Sequence, residues 1–567
     1  MTSRVNPLVD PLESKVRQAY DRIAAADRPE VWITLRSLED VLAEAAAVDP
    51  GAPLAGTLVA VKDNIDVAGL PTTAAAPSFA YRPERDSTAV ARLRAAGALV
   101  LGKTNLDQFA TGLVGTRSPH GAVRNAFAPD RISGGSSSGS AVAVALGFVD
   151  VALGTDTAGS GRVPAALHGI VGVKPTRGLV PNTGVVPACR SLDCVTVFAR
   201  DLATARRVAE ELAGPDGHDP LARVDAPLPA PPARPRIAVP TAEHLQGLAD
   251  GWAAAFGRYV DRVRASGAEV VEVDVAPLLE AAGLLYGGAF VAERTAAVGA
   301  HLAAHPDLVG TDLDPTVAAI VRAGEEVTAV DVFRDRERLD VLAARARDLL
   351  AGTTALLTPT TTWHPTLAEV AADPVGANAR LGRFTNFANL LDMASLAVPA
   401  GTVAGLPFGV MLTGPAFSDR TLAALAQGWA DVPVDLLVVG AHLSGQPLHP
   451  ELVAAGATFV GPAATAPEYR LYALDTVPPK PGMVRDRAGS SVQGEVWRLP
   501  ASGFGAFVAA LPQPMTIGAV TLDDGRVVRS FLAEPAALEG AREITAHGFW
   551  LAARAALARE VVAASAG

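Results

Sequence analysis

ISGGSSSGSAVAVALGFVDVALGTDTAGSGRVP, residues 132–164, decides how this chain is read. Its opening sets Gly134, Gly135 and Gly139 around Ser136, Ser137 and Ser138. Glycines at that density give a loop whose backbone adopts conformations closed to bulkier residues and can pass close to a reacting group. Residues 141–147 are short, apolar and closed by a glycine, which predicts a buried helical segment, and residues 149–153 predict an apolar, β-branched strand ending at Gly154. TDTAGSG, residues 155–161, is then a second turn of small residues, in which successive backbone N–H groups can converge on one point. Two serine-bearing turns thus flank one helix and one strand.

A serine hydroxyl is a poor nucleophile near neutral pH and needs a base. His120 and His168 are the nearest histidines, and neither stands in a triad context. Upstream, GTLVAVKDN (56–64) is a strand-like apolar run that delivers a single lysine, Lys62, to its end. A lysine enclosed by apolar chain has its pKa lowered and can serve as a base. Taken alone, a lysine after a strand is a solvated surface charge.

Lys62 does not stand alone. The blocks VAVKDN (59–64), GALVLGKTNLDQFA (97–110), the stretch quoted above, ALGTDTAGSGRVPA (152–165), GIVGVKPTRGLVP (169–181) and LAVPAG with GLPFGVMLTGP (405–415) resemble, in that order, the amidase signature family. The resemblance implies an α/β fold with a mixed central sheet covered by helices, and a Ser–Ser–Lys triad. Lys62 would be the base, Ser136 the bridging serine and Ser160 the nucleophile. The oxyanion hole would be the backbone N–H groups of Thr157, Ala158, Gly159 and Ser160, with Ser137 among the substrate contacts. The chain departs from many members in carrying Ala158-Gly159 where they carry two glycines, and an alanine at 158 would be strained if that position needs a positive φ.

Composition bounds the rest. With 567 residues, 49% of them hydrophobic, the chain is long enough for a large core and a further domain. A net charge of −11 without any basic run argues against a nucleic-acid surface. The start, MTSRVNPLVDPLESKVRQAY, has no apolar signal-like core, and the apolar runs are broken by Asp150, Asp435 and glycines, so no membrane span is expected. Cys189 and Cys194 are too few for a disulfide framework or a zinc site, which predicts buried free thiols in a cytoplasmic protein. No metal and no cofactor are expected.

Along the chain, residues 12–47 show helical spacing of leucine, valine and isoleucine, and from Gly56 strands alternate with helices, including a helix at 87–96 and a strand at 98–103. The proline-rich stretch 214–240 reads as an extended connection, followed by a helix at 252–266 and a strand at 269–275. Residues 278–299 read as one helix, on which Tyr286 and Arg294, eight apart, project to nearly the same face. From spacing alone that is a surface pair. The character changes at 431–433, which predicts an amidase signature domain over 1–432, with N-terminal helices in 1–50, and a separate α+β domain over 433–567. Its expected strands are the run opening at 434, then 469–474, 491–499, 515–522 and 527–534, with a final helix from about Ala537.

DTAGSGRVPAAL, LLYGGAFVAER and VVGAHLSGQPL together look like the allophanate hydrolase branch of the family. That resemblance implies hydrolysis of allophanate (urea-1-carboxylate) to ammonia and N-carboxycarbamate in urea degradation, in a homodimer whose pathway partner is a urea carboxylase. Arg294 would bind the substrate carboxylate, since a guanidinium is the side chain best shaped for it, and Tyr286 would donate a hydroxyl. The second domain is similar to the γ-glutamyl cyclotransferase-like fold and would promote decarboxylation through His442, between Gly440 and Gly445. Two other readings are a glutaminase subunit of a tRNA-dependent amidotransferase and an inactive scaffold or binding protein on the same fold.

Overall fold

A computed structural model describes residues 11–429 and 434–565. The chain forms two compact units, 1–429 and 430–567. The domain boundary expected at 432/433 lies outside the described residues.

The first unit is built on an eleven-stranded sheet. Its strands are β1 (Trp32–Leu35), β2 (Leu58–Lys62), β3 (Leu99–Thr104), β4 (Val151–Asp156), β5 (Val171–Lys174), β6 (Cys194–Ala199), β7 (Arg236–Pro240), β8 (Glu269–Val273), β9 (Ala355–Pro359), β10 (Met393–Val403) and β11 (Leu406–Pro415). They lie in the order β1-β3-β2-β4-β6-β5-β10-β11-β9-β7-β8. β2 runs parallel to both β3 and β4, β7 runs parallel to β8 and β9, and the remaining neighbours are antiparallel. The sheet is mixed, and it joins strands from both halves of the unit.

Alternation along the central strands explains the layering. Val59, Val61, Val151 and Leu153 enter one apolar core, while Leu58, Ala60 and Ala152 enter a second core on the opposite face. Every residue of β2 and β4 is buried, as expected for strands covered on both faces. Each fully buried valine or leucine contributes about 1.5–3 kcal/mol relative to an exposed one. The helix Ser138–Ala145 packs Ala141, Val142, Ala143 and Val144 into the second core. Because β2 and β4 are parallel neighbours, their C-terminal ends meet at the same edge of the sheet, and this brings Lys62 beside the 157–160 turn.

Three local expectations change. β4 continues past Gly154 to Asp156, because Thr155 and Asp156 stay paired with Val195 and Cys194 of β6. A strand, β1, lies between the N-terminal helices Pro11–Ala26 and Leu38–Ala45. The helix expected over 278–299 is two helices, Ala276–Gly287 and Ala292–Ala304, joined by a 3₁₀ turn at Ala289–Val291. The Gly287-Gly288 pair breaks it: Gly288 is extended, a Cβ there would lie 2.6 Å from Asp335 Oδ2, and that carboxylate instead accepts the Ala289 N–H at 2.6 Å.

The second unit is α+β. β12 (Val434–Val438), β13 (Thr458–Ala464), β16 (Gln493–Leu499), β17 (Met515–Thr521) and β18 (Val527–Ala533) form a five-stranded sheet ordered β13-β16-β12-β18-β17. β14 (Tyr469–Leu474), β15 (Lys480–Arg485) and β19 (Arg542–Glu543) form a smaller one. Leu436, Val438, Tyr469, Leu471, Val496 and Trp550 are among its core residues. β13, β15 and the helix Ala501–Ala509 were not expected from the sequence, and the final helix begins at Trp550 instead of near Ala537, after glycines 540 and 548 with positive φ.

Candidate active site

Lys62 is fully buried at the end of β2. Its Nζ donates to Ser136 Oγ and to Thr155 Oγ1, both at 2.8 Å, and Ser136 Oγ lies 2.9 Å from Ser160 Oγ. The three residues therefore form a continuous path from amine to hydroxyl to hydroxyl. Burial pulls the Lys62 pKa from 10.5 down to about 7, and the Arg294 charge adds to the lowering while Asp107, Asp156 and Asp193 oppose it. A lysine so placed is a base matched to neutral pH.

The turn after β4 supplies the other half of the site. The N–H groups of Thr157, Ala158, Gly159 and Ser160 meet no hydrogen-bond acceptor among the described residues, although these residues are buried. Buried N–H groups are almost always paired, so four successive free ones form a cradle for negative charge. Ala158 does not take a positive φ, so the alanine there is unstrained. Gly159 is required on steric grounds, since a Cβ would lie 2.3 Å from Thr385 Oγ1. Beneath the turn, Arg162 holds Asp156 through contacts of 2.9 and 2.8 Å and donates to Thr385 O and Asn389 Oδ1, while Asp156 also accepts the Gly161 N–H. Burial opposes the Asp156 charge, but the guanidinium holds its carboxyl below the usual range, and the pair locks the turn.

Ser137 turns its hydroxyl into the main chain of Thr155, donating to the carbonyl at 3.1 Å and lying 3.4 Å from the N–H. Its side chain faces β4, where it braces the strand. His168 is equally committed: Nδ1 lies 2.9 Å from Pro164 O, the Ala126 N–H donates to Nε2, and burial pushes its pKa down to about 3.

Tyr286 and Arg294 meet although they lie on separate helices. Arg294 is buried, donates to Tyr286 Oη at 3.1 Å and to Thr111 Oγ1 at 2.8 Å, and its guanidinium sits 5.1 Å from the Tyr286 ring centroid. No carboxylate forms an ion pair with it among the described residues, and its Nε has no partner. Thr111 precedes Gly112, whose carbonyl lies 3.4 Å from Ser160 Oγ.

The family model for Amidase matches residues 14–423, nearly the whole first unit. The chain belongs to the amidase family. A second model, Allophanate hydrolase C-terminal domain, matches residues 434–555. This amidase is 42% identical to a urea amidolyase of Saccharomyces cerevisiae over 91% of its own length, but it spans only 31% of that protein, and 29% of a similar one from Lachancea kluyveri. It is 36% identical to a glutamyl-tRNA(Gln) amidotransferase chain of Thermus thermophilus, over 74% of its own length and 93% of that relative. Among solved structures, the Kluyveromyces lactis allophanate hydrolase matches with a TM-score of 0.71 and 40% identity, covering 97% of each chain.

Several residues of the amidase site gave no recognisable signal in the sequence. Thr155 reads there as part of a turn, yet it is the second acceptor for Lys62 and also accepts from Asn64 Nδ2 at 3.2 Å. Asp107 is buried, accepts the N–H groups of Val114, Gly115 and Arg117, and donates its own N–H to Ser136 O. Asp193 accepts from Thr157 Oγ1 and from the Ala188 and Cys189 N–H groups, which fixes the first residue of the cradle. Only short polar side chains at loop ends mark these positions, and such residues abound elsewhere in the chain.

In the second unit His442 lines a cavity of about 580 Å³ with Glu451, Lys480, Phe507, Met515 and Phe531. Its ring stacks on Phe531 at 4.9 Å between centroids, and Nε2 lies 3.1 Å from Glu451 Oε2. Burial lowers its pKa, while Glu451 opposes that shift. Among the described residues no group of side chains could hold a metal ion, and no helix is long and apolar enough to cross a membrane.

Proposed function

We propose that this chain is an allophanate hydrolase. The observation that carries the reading is Arg294, a buried guanidinium without a carboxylate partner, one residue of loop away from the carbonyl that faces Ser160. A buried cation held without a counter-ion is costly unless a ligand supplies the charge. Allophanate carries one carboxylate and, two bonds from its nitrogen, one scissile amide, so it can meet Arg294 with one end and Ser160 with the other.

Neutral Lys62 takes a proton through Ser136 as Ser160 Oγ attacks the amide carbonyl, and the oxyanion forms against the 157–160 N–H groups. The C–N bond breaks, the proton returns through Ser136 to the leaving nitrogen, and ammonia departs. Water, deprotonated by the same path, then attacks the Ser160 ester and releases N-carboxycarbamate. In the second unit, His442 as imidazolium donates a proton to the nitrogen of this dianion, a C–N bond breaks with its electron pair going to nitrogen, and carbon dioxide leaves carbamate behind. The model matched over 434–555 and the Kluyveromyces lactis structure support the assignment of both halves. Urea carboxylase is the pathway partner in this reading, because carboxylation of urea is the reaction that makes allophanate. The two free, buried thiols of Cys189 and Cys194 support a reducing, cytoplasmic setting.

Ammonia release should be measured with allophanate, urea, biuret, malonamate and glutamine. Turnover of allophanate that Ser160→Ala abolishes is the expected result, and release from glutamine but not allophanate would favour the amidotransferase reading. For the second half, His442→Ala in the full chain should release the first ammonia normally and accumulate a carboxylated intermediate, followed by ¹³C NMR. Unchanged carbon dioxide release would remove His442 from the chemistry.

A further inference from the structure

The cavity around His442 has one charged side chain that the decarboxylation reading does not use. Lys480 opens β15, is partly buried, and its ammonium forms no hydrogen bond or ion pair among the described residues. Glu451 is already committed to His442, and the remaining walls are mostly apolar, with Phe507, Met515 and Phe531 prominent. The start of β15 is pressed against the loop that follows β12: a Cβ on Gly440 would lie 2.3 Å from Pro481 Cδ, so only glycine lets Lys480 and that loop share one wall. Along the loop, the N–H groups of Gly440, Ala441 and His442 meet no acceptor among the described residues, and all three residues line the cavity. An unpartnered ammonium and three successive free N–H groups on residues lining one cavity make an anion site, and the low polarity of the facing wall strengthens it.

We propose that Lys480, with the Gly440–His442 main chain, anchors one carboxylate of a small dicarboxylate dianion and so decides which carboxylate leaves. The inference rests on the decarboxylation reading of this unit and deepens it. With one carboxylate held by Lys480, the other is turned toward Phe507, Met515 and Phe531, where a charge is poorly solvated and neutral carbon dioxide is not. The anchored carboxylate stays on nitrogen as carbamate, and the C–N bond to the other breaks as His442 protonates the nitrogen. A monoanion has no second group to hold, so the site selects for two charges.

Malonate is a stable dianion of the same spacing. Its binding is measured by calorimetry on the full chain carrying Arg294→Met, which removes the carboxylate-reading guanidinium of the amidase site, with Lys480 intact or changed to Met, Gln or Arg. Lys480→Met and Lys480→Gln should each weaken malonate binding about tenfold or more, the loss of one charge-assisted contact, while Lys480→Arg stays within about threefold and acetate binds weakly to all. In the Arg294-intact chain turning over allophanate, Lys480→Met should slow carbon dioxide release and leave the first ammonia unchanged. Malonate affinity that ignores both neutral substitutions overturns the anchor, even if His442→Ala still blocks decarboxylation. Malonate binding that depends on Lys480 in a chain where neither His442→Ala nor Lys480→Met alters carbon dioxide release upholds the anchor and defeats the decarboxylation reading instead.

Discussion

Arg294 and Ser160 are fastened to adjacent residues of one loop: the guanidinium donates to Thr111 Oγ1 at 2.8 Å, and the Ser160 hydroxyl lies 3.4 Å from the Gly112 carbonyl. One dipeptide thus gauges the distance between the group that would read a carboxylate and the atom that would attack. Arg294→Ala should lower kcat/KM for allophanate by about 2–5 kcal/mol and change a neutral amide of similar size far less. Parallel kinetics on the two substrates check this. Equal losses would place the carboxylate elsewhere.

In the proposed reaction Lys62 is the base and sets the acid limb of the pH profile. A lysine works as a base only when neutral, and burial brings its pKa to about 7, so activity should be level above that pH and fall about tenfold per unit below it. The positive charge of Arg294 repels the protonated amine and helps to lower its pKa. Arg294→Met should therefore move the limb to higher pH when a neutral amide is the substrate. A shift to lower pH would contradict the assignment.

Gly159→Ala should misplace the oxyanion cradle, because the new Cβ would lie 2.3 Å from Thr385 Oγ1 and 2.8 Å from Thr385 Cβ. A loss of about 10²–10³ in kcat is expected, the size associated with one oxyanion donor. Adding Thr385→Gly, which removes the obstructing atoms, should recover part of it. A fully active Gly159→Ala enzyme would show that these N–H groups do not hold the transition state.

Asp156→Asn should act on stability. Arg162 and Asp156 are both completely buried, and removing one charge leaves the other uncompensated, at a cost of roughly 3–5 kcal/mol. Denaturant unfolding measures it. A change of less than about 1 kcal/mol would mean that Thr385 O and Asn389 suffice to hold the guanidinium.

Much of this architecture was legible because its chemistry is carried by rare local composition. Runs of Gly and Ser around 134–139 and 157–161, and a lone lysine after an apolar strand, led directly to three side chains that the structure joins within 2.9 Å. What stayed hidden obeyed weaker rules. β13 contains Gly461 and Pro462 and β15 contains Pro481 and Gly482, residues that argue against strands, yet both strands sit at sheet edges, where a missing N–H does no harm. Thr155 was hidden because β6 extends β4 by two residues, a tertiary effect that no local pattern announces. The spacing of Tyr286 and Arg294 pairs them only on a single helix. They do meet, but across the break at Gly288, so the contact arises from the packing of two helices.

In the proposed reaction that break separates the hydrolytic step from the choice of substrate. Lys62, Ser136 and Ser160 ride on the sheet and its turns, whereas Tyr286 and Arg294 ride on two successive helices whose joint is a few residues of 3₁₀ turn braced by Asp335. Lengthening or shortening the joint would shift the cation relative to Ser160 and leave the proposed acyl-transfer residues where they stand. Preference for a longer or shorter acid could then be reset by insertion at 288–291, without rebuilding the hydrolytic centre.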